Sequence, residues 1–165
     1  MGLVGYFKIM KIEDKLIVNA SIQKSWDFLL DPMKLSSCIP GCEKIEVLDT
    51  YNYGSIIKVK VGPIPAKFKI RSTITEIKAP HHLVSVSKGE DIGKAGFLSM
   101  KSVLDLREIS GDKTEITGKS EVNLVGRLST FGDRIIRAKA KQLMDKFKEQ
   151  LSVKLEKGGN RNEKF

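Results

Sequence analysis

The feature that most constrains the fold is a long amphipathic stretch near the C-terminus, Leu128–Lys157. Its apolar residues recur mostly at steps of three and four, which is the period of an α-helix, and it contains no proline. As one helix, its residues would extend about 45 Å at 1.5 Å per residue. The stretch therefore predicts one long helix that crosses its partner obliquely or bends near Gly132. No second stretch has this pattern, so the apolar face of the helix must pack against another kind of element.

The residues before this stretch alternate between apolar and polar, which is the period of β-strands with one buried face. Between Ser55 and Gly62, for example, Ile57, Val59 and Val61 share one face and two lysines occupy the other. One early strand, short helices and six further strands follow one another with short connections, which predicts an antiparallel meander. The predicted fold class is therefore α+β, with an antiparallel sheet of about seven strands covered by the C-terminal helix.

Turn-forming residues mark the predicted connections. Ser21 is the predicted N-cap of a short helix, which ends before Asp31-Pro32 because the residue before a proline is disfavoured in the helical region. Tyr53-Gly54 is predicted to be a turn between two strands. Residues 89–96, which contain three glycines, are predicted to form a loop.

The composition is that of one globular domain. The chain has 165 residues, of which 41% are hydrophobic and 30% are charged. We expect a single domain over residues 11–157, a short N-terminal arm over 1–10 and a polar tail over 158–165. No apolar run approaches the roughly 18–20 residues of a transmembrane helix, and the N-terminus lacks the pattern of a signal peptide. The protein is therefore expected in the cytoplasm.

The sequence contains no recognisable catalytic or metal-binding motif. Cys38 and Cys42 are spaced C-x3-C, without a second pair that would complete a zinc site. His81 and His82 follow a proline in a predicted turn, so we expect both to be solvated. We therefore predict no catalytic residues, no metal site and no cofactor, and a protein that is not an enzyme.

Four short segments, together with the order of elements, resemble a known family. The order is similar to the helix-grip fold of the START and Bet v 1-like (SRPBCC) superfamily, in which a curved antiparallel sheet wraps around a long C-terminal helix. Within that superfamily, the chain resembles the CoxG family of carbon monoxide dehydrogenase subunits. The segments that carry the resemblance are Trp26–Leu30 followed by Asp31-Pro32, Cys38–Glu43, Val61–Ile64, and Gly126–Leu128 leading into Phe131-Gly132.

The resemblance implies a cavity between sheet and helix that holds a lipophilic small molecule, for which a quinone or another lipid would suit. It also implies an accessory role beside a carbon monoxide dehydrogenase, or a related molybdenum hydroxylase, at the membrane. Some members continue into a linker and an apolar membrane anchor. This sequence has neither after Phe165, so we expect any membrane contact to be peripheral, at the inner face.

Candidates for lining the implied cavity are apolar residues predicted to point inward or to lie beside its mouth. Ligand pockets are mostly apolar with few polar groups, although the same residues would also fill a solid core. The resemblance favours the cavity over the solid core. The predicted ligand-binding residues are Trp26, Leu30, Ile39, Pro40, Val59, Phe68, Met100, Leu124, Phe131 and Ile135.

The net charge of +9 indicates either a solvated basic surface or an anionic partner. Anionic lipid is a reasonable partner, whereas nucleic acid is not expected because no aromatic residues interleave with the lysines. Two basic surfaces are predicted, one on neighbouring strands and one on the long helix. They are Lys58, Lys60, Lys67, Lys69 and Arg71, and Arg134, Arg137, Lys141 and Lys148.

The function predicted from these observations is the binding of a lipophilic small molecule by an accessory protein of a redox enzyme. Two alternatives remain open at this point. One is a small-molecule enzyme of the polyketide cyclase or dehydratase kind, and the other is an assembly factor that binds no ligand.

Overall fold

A computed structural model describes residues 7–163 of the chain and the side chains of residues 8–156. Within this part, strands and helices follow in the predicted order. They are β1 (Phe7–Val18), α1 (Ile22–Leu30), α2 (Pro32–Ser36), β2 (Cys42–Val47), β3 (Asn52–Val61), β4 (Ile64–Lys78), β5 (His82–Asp91), β6 (Phe97–Ser110), β7 (Lys113–Val125), a 3-10 helix (Arg127–Thr130) and α3 (Asp133–Glu163).

The seven strands of the described residues form one antiparallel sheet, in the order β1-β7-β6-β5-β4-β3-β2. From β2 to β7, each strand pairs with the next one in the sequence, as expected for a meander. The first strand instead pairs with β7, and α1 and α2 make the long connection from it to β2 at the opposite edge. The predicted fold class is confirmed.

Side-chain caps begin and separate the two short helices. The Ser21 hydroxyl accepts a hydrogen bond from the Lys24 amide at 3.1 Å, so the predicted N-cap of α1 is confirmed. Asp31 follows α1 and caps α2, because its carboxylate accepts from the amides of Met33 and Lys34 at 3.0 and 3.2 Å. The Asp-Pro pair therefore ends one helix and begins the next, with proline at the first helical position.

The predicted turn at Tyr53-Gly54 was wrong, because both residues lie inside β3. The actual connection is set by Asp49, whose Oδ1 accepts hydrogen bonds from the amides of Tyr51 and Asn52, each at 2.9 Å. An aspartate that binds the backbone two residues further on is a stronger turn signal than one glycine beside a tyrosine. The predicted loop over residues 89–96 is also shorter, since β5 continues through Asp91.

The C-terminal stretch forms two elements instead of one helix that begins at Leu128. Leu128 belongs to the 3-10 helix and is 1% exposed, and α3 begins only after Gly132. The change of direction falls at the predicted glycine. The 31 residues of α3 extend about 46 Å.

The regular secondary structure extends further along the sequence at both ends than predicted. Residues 7–10 belong to β1 instead of an arm, because they pair with residues 122–125 of β7. The helix backbone likewise continues through residues 158–163, where a polar tail was predicted. The rest of the predicted arm and tail lies outside the described residues.

The core is divided into two apolar clusters at opposite ends of the sheet. The first cluster joins α1, the C-terminal half of α3 and one end of the strands, with Trp26, Leu29, Leu151 and Leu155 at its centre. The second cluster lies around the β3–β4 hairpin and the 3-10 helix. Between the two clusters, the same face of the sheet carries side chains of a different chemical character.

Candidate functional site

The long helix covers the inner face of the sheet, which we define as the face that carries both apolar clusters. Among the strands, α3 approaches β1 and β3 most closely, so it spans the sheet from one side to the other. Two ion pairs fix it to β1, Lys8–Asp133 at 2.6 Å and Lys148–Asp14 at 2.9 Å. The inner faces of the central strands β4 to β7 therefore lie under the helix, at a greater distance from it.

A band of serines crosses these central strands between the two apolar clusters. Strand register places its members on the inner face in two adjacent rows, together with Met100 and Ile12. The Oγ atoms of Ser72 and Ser87 are 2.7 Å apart, and those of Ser102 on β6 and Ser120 on β7 are 2.9 Å apart. The residues of this serine band are Ser72, Ser85, Ser87, Ser102 and Ser120.

The serine band can bind a neutral polar group. A hydroxyl carries one donor and two acceptor sites, so within each bonded pair one hydrogen donates to the partner and the other remains free. Ser87 and Ser102 are diagonal neighbours across β5 and β6, about 7–8 Å apart. Neither of the two rows contains a histidine, aspartate or glutamate in the described strands. The arrangement therefore suits carbonyl, ether or hydroxyl oxygens better than an ion.

Six of the ten predicted ligand-binding residues belong to the two apolar clusters. Trp26 is 3% exposed and Leu30 packs beside it, both in the first cluster. Four others lie together in or against the second cluster, namely Val59, Phe68, Leu124 and Phe131. The predicted set is thus not one continuous lining, because the serine band separates its two parts.

The other four predicted residues lie apart from both clusters. Met100 is half-buried, opposite Ser87 beside the serine band. Ile39 and Pro40 are half-buried in the loop between α2 and β2. Ile135 is 44% exposed on α3.

The loop around Ile39 and Pro40 is held against β3 by Gly41. The Gly41 carbonyl accepts a hydrogen bond from the Lys58 amide at 2.8 Å, and its φ of +78° lies in the left-handed region. A Cβ at this position would overlap the Lys58 carbonyl oxygen. Burial raises the pKa of both the Cys38 and Cys42 thiols, so neither is activated as a nucleophile.

A cleft of about 400 Å³ opens between β1 and α3. Met10 and Ile12 of β1 face Met144 of α3 across it, and the Lys148–Asp14 ion pair stands at one end. Burial opposes ionisation of Asp14, but hydrogen bonds from Lys148 and the Lys15 amide outweigh it, so the pKa of Asp14 is lowered. Because Ile12 shares a row with the serine band, the cleft leads towards that band.

One acid occupies the inner face near the second cluster. Asp91 is 3% exposed, and its two oxygens accept hydrogen bonds from the amides of Lys67 at 2.7 Å and Ala95 at 2.9 Å. Burial alone would raise the pKa of this carboxyl, but these backbone bonds outweigh burial and the pKa is lowered. Asp91 therefore holds the β5–β6 turn against β4 and has no oxygen left unbonded for a ligand.

The histidines lie on the opposite, outer face or at its edge. His82 Nδ1 is 2.6 Å from Asp105 Oδ1, and Asp105 is its cross-strand partner. His81 is exposed, with Nδ1 3.2 Å from the Leu106 carbonyl oxygen. Among the described residues, no group of three or more His, Cys, Asp or Glu is placed to hold a metal ion.

The serine band is the feature that sequence reasoning missed. Its signal is present in the alternation, since Ser72 has the same parity as Phe68 and Ile70, and Ser120 the same parity as Val122. Alternation shows only that each serine points inward on its own strand. Only strand register shows that these serines lie side by side.

The fold is that of the START superfamily. A START superfamily protein from Mycobacterium smegmatis superposes with a TM-score of 0.71, at 10% identity over 89% of this chain and 97% of its own. A conserved protein from Geobacillus kaustophilus gives 0.82, at 24% identity over 90% and 96%. An aromatase/cyclase, Zhui from Streptomyces sp. R1128, gives 0.66, at 12% identity over 90% and 94%. These identities support the shared fold alone.

The sequence profile of the CoxG family, which is described as a subunit of carbon monoxide dehydrogenase, matches residues 15–156. The chain therefore belongs to this family, which confirms the resemblance. None of the curated proteins compared matches it at a significant level. Among the described residues, no helix is both long enough and apolar enough to cross a membrane.

Proposed function

We propose that this protein binds a lipophilic small molecule between the sheet and α3, as an accessory protein of a molybdenum-containing carbon monoxide dehydrogenase. The observation that carries the proposal is the serine band on the central strands, between two separate apolar clusters. A solid core gains nothing from hydroxyl groups in this position, because a buried donor without a partner costs about 1–3 kcal/mol. A ligand pocket needs a few such groups to orient an otherwise apolar guest.

The ligand is inferred from the chemistry of this surface. Its apolar parts would contact the two clusters, and a neutral acceptor would accept hydrogen bonds from the serine band. A quinone or another lipid with a carbonyl group has both features. A free carboxylate is disfavoured, since neither row of the serine band contains a cation in the described strands.

An accessory role is preferred over catalysis for two reasons. The family is named as a subunit of carbon monoxide dehydrogenase, and the rows that would face the guest contain no histidine, aspartate or glutamate in the described strands. His82 and Asp105, which do form a close pair, lie on the outer face instead. The site proposed here holds and orients its guest without reacting with it.

The proposal is tested first by native mass spectrometry of the purified full-length protein, followed by solvent extraction of any guest. Binding is then measured with two probes, a decyl-substituted benzoquinone and decylbenzene, which has the same tail without the carbonyl groups. Trp26 is the only tryptophan and lies in the first cluster, so its fluorescence reports on binding nearby. We expect the quinone to bind more tightly than decylbenzene.

Serine variants separate the proposed site from non-specific partition. In the double variant Ser102→Ala and Ser120→Ala, quinone affinity should fall about 3- to 10-fold, as expected for one or two lost hydrogen bonds, with decylbenzene unaffected. Ser99→Ala is the matched control, because Ser99 lies on β6 but on the outer face, opposite Lys88. Absence of any binding by either probe would contradict the proposal.

Membrane contact remains part of the proposed role, at the inner face and through charge. On α3, Lys141 and Lys148 already bond to Asp145 and Asp14, so the strand lysines are the better candidates. Binding to anionic vesicles should weaken steeply with salt, since each basic residue contributes about 1 kcal/mol over a Debye length of about 8 Å. Reversal of Lys58 and Lys60 to glutamate should reduce co-sedimentation, whereas Lys141→Glu, at a lysine already paired with Asp145, should have a smaller effect.

A further inference from the structure

The outer face of the sheet carries a second recessed surface, which the proposed ligand site does not use. It is a groove of about 750 Å³ across strands β2 to β6. Strand register puts Lys44, Ile56, Lys69, Glu90 and Phe97 in one row along it, on the face away from both clusters. No residue of α3 lines it in the described part of the chain.

The floor of this outer groove is low because of small and apolar residues. Gly54 lies inside β3, opposite Arg71, and leaves a gap where a side chain would stand. Half-buried Ile56 continues the floor on the same strand. The charged side chains on either side form the walls, so the surface is concave and would meet a flat partner only at its rim.

The walls are predominantly basic, although Glu46 and Glu90 also line the groove and Glu90 is the cross-strand partner of Lys69. Four of the six charged residues that line the groove are Lys44, Lys69, Arg71 and Lys88. Among the described residues, none of these four lies within 4.0 Å of a carboxylate oxygen. Arg71 and Lys88 are also direct cross-strand partners, and like charges in this position destabilise a sheet.

Exposed apolar side chains stand at both ends of the outer groove. Phe97 is 56% exposed and Ile92 is 57% exposed at the β5–β6 end, and Leu48 is 46% exposed at the β2 end. The four strand spacings between β2 and β6 amount to roughly 19 Å, the length of about six residues of extended chain. The surface thus combines apolar contacts at its ends with a net positive charge between them.

We propose that the outer groove is a docking site for an acidic, extended segment of a partner protein. Carboxylates of the segment would bridge Arg71 and Lys88 at the centre, and apolar side chains would contact Phe97 and Ile92 at one end and Leu48 at the other. A protein segment is favoured over a membrane because the apolar floor between the charged walls is recessed, so that an extended chain can enter it, whereas a bilayer surface is flat on this scale. This site is independent of the ligand proposed for the inner face.

The test uses the full-length protein and an acetylated peptide of alternating glutamate and leucine, about eight residues long. Titration into 15N-labelled protein should shift the amide resonances of Gly54, Gly89 and Phe97, and the affinity should fall as salt rises. Reversal of Arg71 and Lys88 to glutamate should weaken binding at least 10-fold. Phe97→Ala should weaken it about 3-fold, with little dependence on salt.

A charge-matched control distinguishes the groove from a general effect of net charge. Lys113 and Lys146 are exposed and lie outside the groove, so their reversal to glutamate changes the charge equally and should leave peptide binding intact. A peptide with lysine in place of glutamate should not bind. Unshifted groove resonances at millimolar peptide would overturn the proposal. It would also be overturned if reversal of Arg71 and Lys88 abolished binding to anionic vesicles but not to the peptide, which would assign the surface to lipid.

Discussion

The two faces of the sheet are built from alternate residues of the same strands, yet they differ in almost every chemical respect. On β5, Ser87 points inward, bonds to Ser72 and is 6% exposed, whereas the next residue, Lys88, stands exposed on the wall of the outer groove. The inner face between the clusters is neutral, with hydroxyl groups as its polar atoms. The outer face is charged, and four of its cations line the outer groove without a close ion pair among the described residues.

Strand alternation therefore places two different kinds of binding surface on the two faces of one sheet. A neutral inner surface under α3 suits an apolar guest, because burying an unpaired charge there would be unfavourable. A charged outer surface suits a partner that arrives from solvent, because charge steers association and selects the partner. The proposed accessory protein, with a small molecule inside and an enzyme as its partner, would use both faces.

The largest expected effect comes from placing a charge on the inner face. Ser87→Asp should lower the free energy of unfolding by about 3 kcal/mol or more, because a carboxylate replaces a buried hydroxyl without a cation nearby. Urea denaturation followed by circular dichroism measures this change.

Lys88→Asp is the matched variant one residue further along the strand. It replaces a like-charge pair with an attractive pair opposite Arg71, so its stability should stay within about 0.5 kcal/mol of the wild type or rise slightly. Equal destabilisation by both substitutions would break the comparison between the faces.

Asp91 is a buried acid of the inner face and gives the second effect. Asp91→Asn should cost about 2–3 kcal/mol at neutral pH, because the amide keeps one oxygen and presents an NH₂ group to the amide of Lys67 or Ala95. Glu90→Gln, on the exposed neighbour, should have little effect.

The pH dependence of this effect has a definite sign. The folded-state pKa of Asp91 is lowered, so its stabilisation is fully present above the ordinary value of 3.8 and is lost as pH falls through the lower folded value. The difference in stability between wild type and Asp91→Asn should therefore shrink below about pH 4. A difference that stays constant from pH 7 to pH 2 would show that the charge of Asp91 is irrelevant.

The sequence predicted the fold because its signals are long and mutually consistent. The helical period of the C-terminal stretch and the alternation of six strands both point to one sheet with one covering helix. The family motifs, in contrast, are short segments that specify local backbone geometry. Gly41 and Gly126, for example, have positive φ values of +78° and +103°, so these motif positions shape turns.

The candidate site was less predictable because it depends on register between strands far apart in sequence. Ser72 and Ser87 are 15 residues apart, and only pairing of β4 with β5 brings their hydroxyl groups together. Periodicity also cannot separate a lining residue from a core residue. Ile135 follows the helical pattern, yet it is 44% exposed because α3 begins later and turns that side outward.

The smallest expected effect concerns the outer face alone. Lys58 and Lys67 are direct cross-strand partners, and Lys67 has Glu43 at 3.2 Å as its acidic neighbour. Lys58→Glu should convert a repulsive pair into an attractive one and stabilise the protein by about 0.2–1 kcal/mol, nearer the lower limit because Glu43 already neutralises part of the repulsion. Since both side chains are exposed, the gain should disappear in about 1 M salt, where the Debye length is about 3 Å.

Thermal unfolding at low and high salt measures this, with Lys58→Gln as the control that removes the repulsion without adding attraction. If the glutamate variant is less stable than the glutamine variant at low salt, cross-strand charge does not govern this part of the outer face.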